Sequence, residues 1–260
     1  MRTVRSGTYL VIAVMTAIVA IEWPRAGIVF GLGLALGLAA VLIKSMVPDR
    51  LSTGRLLSWW PRAELTPGVL QVVDLVRAGQ LDAAERLVGQ LTVANPTMPV
   101  RASRVLVLEA RGRYAEALML AIGMSSDVED KDAAAAMATV AVLTGAAVEA
   151  GQLAAHDGLP VAARALNEAI ELGKPSYMMN GVRAVIALLA GEPQFAVHLA
   201  QLACKNNRGS LGRADDLATL ARAYMAAGDN LAARRTLAKA EQLVPWWPRV
   251  ALTRSRLDLA

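Results

Sequence analysis

The sequence holds little of what enzymes and disulfide-stapled domains depend on. It has one cysteine, two histidines and 4% aromatic residues among its 260 residues. A single cysteine forms no internal disulfide, and Cys204 lies on an apolar stripe in HLAQLACKNN, where a thiol acts as a small buried hydrophobe. His156 and His198 join no cluster with metal-ligand spacing, and a Gly-x-Ser-x-Gly elbow and a P-loop are both absent. The sequence therefore predicts no catalytic residue, no metal site and no cofactor, and the protein is not expected to be an enzyme.

A charged surface of one sign is also lacking. The net charge is +5, but residues 1–65 hold seven Lys/Arg against three Asp/Glu, whereas the remaining 195 residues hold 20 against 19. The basic excess therefore belongs to the N-terminal part of the chain. Because the rest has no basic face with interleaved aromatic residues, nucleic acid is not predicted as a partner.

Two long apolar runs are present at the start of the chain, and they contribute to a mean hydropathy of +0.40. The first covers Thr8–Trp23 and the second covers Gly27–Val47. As a helix, the second run is about 31 Å long, enough to cross a bilayer, whereas the first is about 24 Å, which is short but workable with Tyr9 and Trp23 at the interfaces. The first run has the basic start of a signal peptide but lacks a small-x-small cleavage site, and a second span follows at once. The pattern predicts a two-span transmembrane hairpin over residues 1–47.

The basic residues around these spans predict their orientation. Arg2 and Arg5 precede the first span and four Lys/Arg follow the second, up to Arg62, whereas the turn has only Arg25 beside Glu22. Positive residues stay on the cytoplasmic side. Both ends of the hairpin are therefore expected in the cytoplasm, and the multi-pass protein is expected in the cell (inner) membrane.

The second span carries a glycine pattern that favours close helix packing. Two overlapping small-xxx-small arrangements let helix backbones approach each other in lipid. Packing between the two helices of the hairpin is the favoured interpretation, and homo-oligomerisation through this span is the alternative. The residues concerned are Gly27, Gly31, Gly33 and Gly37.

The remainder of the chain repeats itself. A glycine is followed by alanine five residues later and by an apolar residue twelve later, and in three units by proline seventeen later. The glycine suits the left-handed cap that ends one helix, and the alanine suits a close crossing one turn into the next helix. The units begin at Gly79, Gly112, Gly158, Gly191 and Gly228, with Pro160 and Pro193 expected in the first turn of their helices.

The stretches RAGQLDAAERLVGQLTVANP, EARGRYAEALMLA and ARAYMAAGDNLAARRTLAKAEQLVP resemble tetratricopeptide repeats (TPRs). The second and fourth units depart from the pattern, since Glu129 and Arg208 stand where the proline is expected. The resemblance implies an all-α fold, in which the hairpin and a linker over residues 48–65 precede an α-solenoid of TPR-like helix pairs over residues 66–260. In the last stretch the signature positions are Leu220, Ala221, Tyr224, Ala233, Ala240 and Pro245.

The resemblance also implies protein binding in a groove lined by the first helix of each pair. We expect a membrane-anchored interaction scaffold or assembly factor whose partners are proteins and the lipid bilayer. The alternative is an accessory subunit of a larger membrane complex, packed through the glycine-rich second span. Helical spacing predicts six residues that face the groove: Arg77, Glu109, Gln152, Arg183, Arg222 and Met225.

The tetrapeptide Trp-Trp-Pro-Arg occurs twice, at Trp59–Arg62 and at Trp246–Arg249, and it holds four of the five tryptophans. One interpretation is that each tryptophan pair covers an end of the solenoid. The other is that Trp59 and Trp60 lie in the headgroup layer of the membrane, where an amphipathic ring and a neighbouring cation both find partners.

Overall fold

The computed structural model describes residues 65–127, 130–207 and 209–259, and within these ranges it contains eleven α-helices and no strand. The predicted transmembrane hairpin with its four packing glycines lies outside the described residues, as do Trp59 and Trp60. The predictions for these segments therefore stay predictions. The described part confirms the all-α, TPR-like solenoid that the repeats predict.

Ten of the helices follow each other as five antiparallel pairs, and an unpaired helix ends the chain. The first helices pack on one another in two groups: α1 on α3, and α5 on α7, which packs in turn on α9. The last helix, α11, packs on α9 and α10, where the first helix of a sixth pair would lie. The bounds are α1 Pro67–Arg77, α2 Leu81–Ala94, α3 Met98–Ala110, α4 Tyr114–Ser125, α5 Asp130–Glu149, α6 Ala155–Glu171, α7 Asn180–Leu189, α8 Pro193–Asn206, α9 Ser210–Ala226, α10 Asn230–Leu243 and α11 Pro248–Asp258, with a 3-10 turn at Ser176–Met179 before α7.

A glycine with positive φ ends the first helix of every pair. At Gly228, φ is +86°, the glycine N–H donates to the Met225 carbonyl at 3.0 Å, and the Asp229 N–H donates to the Tyr224 carbonyl at 2.9 Å. These two bonds satisfy helix-end carbonyls that would otherwise have no partner. The prediction of a glycine cap is confirmed for four of the five units.

The third unit differs from the prediction. Gly158 is buried inside α6, where an added Cβ would lie 2.2 Å from a Val148 methyl group. The turn is formed instead by Gly151, whose φ is +70°. Because α6 begins at Ala155, Pro160 lies beyond its first turn. The sequence pattern does not distinguish a glycine that allows close packing from a glycine that caps a helix. For this reason the predicted register of this unit was wrong.

The repeated alanines lie where helices cross closely. Ala84, Ala117, Ala196 and Ala233 have no exposed surface, as predicted, while the predicted third-unit alanine, Ala163, is only half-buried. Pro193 stands in the first turn of α8, which confirms that expectation. A larger side chain at the buried alanines would push two helices apart.

Helix α5 is the one helix of the described residues that is long and apolar enough to cross a membrane, with a mean hydropathy of 1.3 over Asp132–Glu149. However, 72% of that window is buried inside the structure. Its two buried threonines satisfy their hydroxyls within the helix, Thr139 on the Ala135 carbonyl and Thr144 on the Val140 carbonyl. Its apolar length is therefore explained by burial within the repeat domain.

Candidate protein-interaction site

Five of the six predicted groove residues keep part of their surface exposed: Gln152, which lies in a turn, and four residues on first helices. Arg77 ends α1, Glu109 lies near the end of α3, Arg183 lies within α7, and Met225 lies near the end of α9. All four are half-buried residues on first helices. The layer of first helices thus offers a mixed surface of both charges and one flexible apolar side chain, which suits a protein partner.

Gln152 is exposed, and its side chain also bridges two turns of the array. Its side-chain N–H donates to the Gly112 carbonyl at 2.6 Å, and its amide oxygen accepts from the Ala115 N–H at 2.9 Å. The amide thereby joins the turn of the third pair to the turn of the second. Gln152 holds two neighbouring pairs in register, and both polar atoms of its amide are used inside the protein.

The prediction that Arg222 faces a partner is wrong, because its side chain is only 1% exposed. One guanidinium nitrogen lies 2.5 Å from the Glu149 carboxylate, and another donates to the Thr219 hydroxyl at 3.3 Å. Helical spacing placed Arg222 on the correct kind of helix. It could not show that α11 packs on α9 and that the arginine would be covered.

Arg249 completes a buried charge cluster around Arg222. It donates to the Asp215 carboxylate at 2.6 Å, to the Glu149 carboxylate at 2.5 Å and to the Thr219 hydroxyl at 3.0 Å. Two guanidiniums thus face two carboxylates, so that each charge taken out of water has partners of opposite sign. We call these five residues, Glu149, Asp215, Thr219, Arg222 and Arg249, the Arg249 cluster.

Burial and the carboxylates act in opposite directions on the two arginines. Burial lowers the pKa of Arg222, and Glu149 opposes this only in part. Burial also lowers the pKa of Arg249, but the Asp215 and Glu149 carboxylates outweigh it and raise that pKa above its ordinary value. Since arginine keeps its proton in proteins, both guanidiniums remain cationic in the cluster.

The rest of the second Trp-Trp-Pro-Arg tetrapeptide surrounds this cluster. The Trp247 indole N–H donates to Asp215 at 3.1 Å, and its ring meets Trp246 edge to face at 5.7 Å. A Cβ added to Gly79 would lie 3.0 Å from the Trp246 indole nitrogen, and one added to Gly112 would lie 3.4 Å from Pro248. The tetrapeptide Trp246–Arg249 therefore contacts the turns of the first and second pairs as well as α5 and α9.

Helix α11 is also held beyond the tetrapeptide. Arg256 donates to the Glu149 carbonyl at 2.6 Å, and Arg234 of α10 donates to the Leu257 carbonyl at 3.3 Å.

Tyr114 is buried beside the cluster, and its hydroxyl has no hydrogen-bond partner among the described residues. Burial is the main reason that the pKa of Tyr114 is raised above its ordinary value.

The sequence held two signals for this cluster that repeat-based reasoning missed. Asp215 and Asp216 are adjacent acidic residues in a helix whose other face is apolar, and both are buried. Glu149 ends α5, the one described helix that is long and apolar enough to cross a membrane. Buried carboxylates are rarely without a cationic partner. The acidic residues at these positions therefore predict that an arginine from elsewhere in the sequence packs against them.

A second ionic network is exposed at the edge of the first two pairs. Arg111 pairs with Asp82 and with Glu85, the latter at 3.1 Å, while Arg113 pairs with Glu85 at 2.9 Å and with Glu116 at 2.5 Å. The hydrogen bond from Arg111 lowers the pKa of Asp82. Exposed pairs of this kind contribute little to stability, so this network aligns neighbouring turns more than it holds the fold.

Within the described ranges no group of three or more His, Cys, Asp and Glu side chains is placed to hold a metal ion. Burial raises the pKa of the Cys204 thiol to about 12, which keeps it protonated and unreactive. His156 is exposed in the first turn of α6.

Glycine-capped antiparallel helix pairs stacked in one array define the class: an α-solenoid with TPR-like repeats. No family model matches the chain, and none of the curated proteins matches it. Among solved structures it is similar to the crystal structure of a Podosopora anserina protein described as a kinesin light chain with nearly identical TPR-like repeats. The two are 18% identical with a TM-score of 0.40, over 74% of this chain and 96% of the other. The fold assignment rests on the helix pairs themselves.

Proposed function

We propose that this protein is a non-catalytic interaction scaffold or assembly factor anchored in the cell (inner) membrane. The hairpin of residues 1–47 holds the TPR-like domain at the cytoplasmic face, where the domain binds a protein partner. The observation that carries the proposal is the stacking of the helix pairs, in which first helices pack on one another, α1 on α3 and α5 through α7 to α9. Stacked helix pairs present an extended surface to a partner.

The partner surface is built on side chains of both charges. Glu109 and Arg183 lie on α3 and α7, and Met225 on α9 adds an adaptable apolar contact. A partner segment with charges of both signs and an apolar residue matches this surface. Electrostatic matching of this kind supplies specificity and speeds association more than it adds affinity.

The membrane anchor is supported by the sequence. The two N-terminal runs have the length and the flanking charges of spans, and the long apolar helix of the repeat domain is accounted for by its own core. An accessory subunit of a larger membrane complex is the second candidate. The glycines of the second span favour it, because they suit packing against another helix.

Affinity purification of the full-length protein in mild detergent tests the binding role. We expect one or a few proteins to co-purify in constant ratio, and Arg183→Glu to release them. The matched control is Arg235→Glu, which makes the same change at an exposed position of α10, a second helix. Equal losses in both variants, or none in either, would overturn the predicted surface.

Replacing residues 1–47 by an unrelated two-span hairpin separates the two candidates. A tethered scaffold keeps its partner after this exchange, whereas a subunit packed through its glycine-rich span loses it. A reporter that is active only outside the cytoplasm, fused after Ala260, is expected to be silent. Strong activity from that reporter would contradict the cytoplasmic orientation.

A further inference from the structure

The segment Trp246–Arg249 is held as a bound peptide would be, with a separate contact for each side chain. Trp246 lies against Gly79, Trp247 donates to Asp215 at 3.1 Å, Pro248 lies against Gly112, and Arg249 reaches two carboxylates. These contacts come from elements that are far apart in sequence. The folded array therefore contains a built site for this tetrapeptide, which we call the tetrapeptide site.

The site requires an arginine in its occupant. Without Arg249, the single cation Arg222 would face the two buried carboxylates of Glu149 and Asp215. An uncompensated buried carboxylate is costly, so a replacement occupant must bring a guanidinium. The other oxygen of Asp215 accepts from the Trp247 indole N–H, a bond that an occupant with an indole at this position would keep.

The chain carries a second segment with these groups in the same order. Residues 59–66 read WWPRAELT and residues 246–253 read WWPRVALT, so that six of eight positions are identical. Leu65 is buried and Thr66 caps α1 by accepting from the Val69 N–H. The segment that matches the bound tetrapeptide, Trp59–Arg62, stands immediately before the described fold.

The tether to α1 restricts the reach of Trp59–Arg62 within its own chain. Leu65 precedes the first residue of α1, whereas Gly79 follows its last residue. Helix α1 is about 16 Å long, and the three residue steps from Arg62 to Leu65 span at most about 11 Å. A second copy of the chain is free of this restriction, and we take it as the source of a competing tetrapeptide.

We infer that the tetrapeptide site is a self-association site, which Trp246–Arg249 normally fills and for which Trp59–Arg62 of a second copy competes. The inference rests on the proposed function only in that the array binds protein segments. The bound segment follows α10 in the same chain, so its effective concentration is high and it holds self-association down. Release of Trp246–Arg249 opens the site, and anchoring in one membrane brings second copies close.

Removing the side chains that fill the site tests the inference, which predicts that self-association then increases. In the full-length protein in detergent, Trp247→Ala with Arg249→Ala removes the internal occupant. Sedimentation velocity is expected to show the dimer association constant rising about tenfold or more as the competitor is lost. Adding Trp59→Ala, Trp60→Ala and Arg62→Ala to the same chain is expected to return it to the monomer.

Two results of this experiment would overturn the inference. One is a monomeric emptied variant whose circular dichroism shows the native helix content. The other is self-association that persists without the first tetrapeptide, because the opened α9 surface would then be associating unspecifically.

A second measurement keeps the native repeat domain, in case the emptied variant does not fold. Benzoylphenylalanine replaces Trp59 in the otherwise unchanged full-length chain, which is illuminated in the membrane. We expect a minor cross-linked dimer whose cross-links map to the turns at Gly79 and Gly112, and we expect Arg62→Ala to remove it. No dimer, or cross-links confined to exposed faces of second helices, would refute the exchange.

These outcomes are separate from those of the proposed function. Trp59→Ala, Trp60→Ala and Arg62→Ala leave the first-helix surface of the chain intact. If self-association fails its tests while Arg183→Glu still releases a partner, the scaffold function stands and the exchange falls. If self-association is observed but Arg183→Glu releases no partner, the self-association site stands and the predicted partner surface is refuted.

Discussion

Arg249 donates to the carboxylate of Glu149 at 2.5 Å although one hundred residues separate them, and both side chains are buried. The pair fixes the end of the chain on the end of α5, in the middle of the array. A buried pair of this kind is weak support for overall stability, since two apolar residues would often do as well. Its effect is positional, because Arg249 supplies the second cation for the two carboxylates of the cluster.

The first prediction concerns the loss of one partner from this cluster. Arg249→Ala leaves Glu149 and Asp215 buried with a single cation, and we expect a loss of about 3–5 kcal/mol in the free energy of unfolding. Chemical denaturation of the full-length protein in detergent measures it. The control is Arg254→Ala on the same helix, whose exposed pair with Glu241 at 2.5 Å is expected to contribute about 0–1 kcal/mol. Equal effects of both changes would mean that the buried cluster is not specific.

The second prediction is a pH dependence that originates at Tyr114. Burial raises the pKa of this tyrosine above its ordinary value of 10.0, so the folded state holds the phenolic proton more tightly than the unfolded state. The associated stability is present below the ordinary pKa and is lost as the pH rises above it. Unfolding followed from pH 8 to 11 should show this loss in the wild type and a smaller one in Tyr114→Phe.

At neutral pH the same substitution is expected to be neutral or slightly stabilising. The Tyr114 hydroxyl is buried and makes no hydrogen bond among the described residues, so its removal relieves an unsatisfied polar group. A loss of more than about 1 kcal/mol would indicate a hydrogen bond to an ordered water in the cluster.

The third prediction compares two glycines that differ in conformation. Gly228 has φ of +86°, so Gly228→Ala forces a left-handed alanine and is expected to cost about 1 kcal/mol or more. Gly89 lies in α2 with no atom within 4 Å of an added Cβ, and Gly89→Ala should stabilise by about 0.5–1 kcal/mol. Thermal unfolding of both variants checks the opposite signs, and a shared sign would contradict the assigned cap.

Local rules predicted the helix pairs well because each signal acts within a few residues. The caps at Gly79, Gly112, Gly191 and Gly228 follow from glycine's access to positive φ, and the alanine offset follows from one helical turn. The rule failed at Gly158, where glycine serves close packing against Val148 instead. Nothing in the local pattern distinguishes these two uses.

The Arg249 cluster could not be derived in the same way. Helical spacing gives the direction of a side chain such as Arg222 but not what covers it. The cover is α11, whose tetrapeptide contacts Gly79 and Gly112 as well as α5 and α9. That arrangement depends on the sum of small rotations between successive pairs, which no residue spacing records.

The fourth prediction tests the repeat register at the last pair. Ala233 has no exposed surface, so Ala233→Leu overpacks a close crossing and is expected to cost about 1–3 kcal/mol. Ala238→Leu makes the same change at an exposed position of α10 and is expected to have little effect. Melting temperatures of the two variants decide this, and an unchanged value for Ala233→Leu would mean that the position has room.

The last prediction separates the two copies of the tetrapeptide by their distance from lipid. Trp247 is 2% exposed and donates to Asp215, so the second tryptophan pair is packed within the repeat domain. Trp59 and Trp60 follow the predicted spans closely, and an indole beside an arginine suits the headgroup layer. The measurement uses liposomes with a lipid-borne quencher and two variants. One keeps only the first tryptophan pair, and the other keeps only the second.

Strong quenching is expected for Trp59 and Trp60, and little for Trp246 and Trp247. Circular dichroism must show the native helix content in the variant that lacks Trp247, since that change removes the bond to Asp215. Emptying the tetrapeptide site should also weaken the quenching of Trp59 and Trp60. Some of these tryptophans would then leave the headgroup layer and occupy the tetrapeptide site of another copy of the chain. If the lipid-borne quencher does not reduce the fluorescence of Trp59 and Trp60, these residues lie away from the bilayer and their proposed role at the membrane surface is refuted.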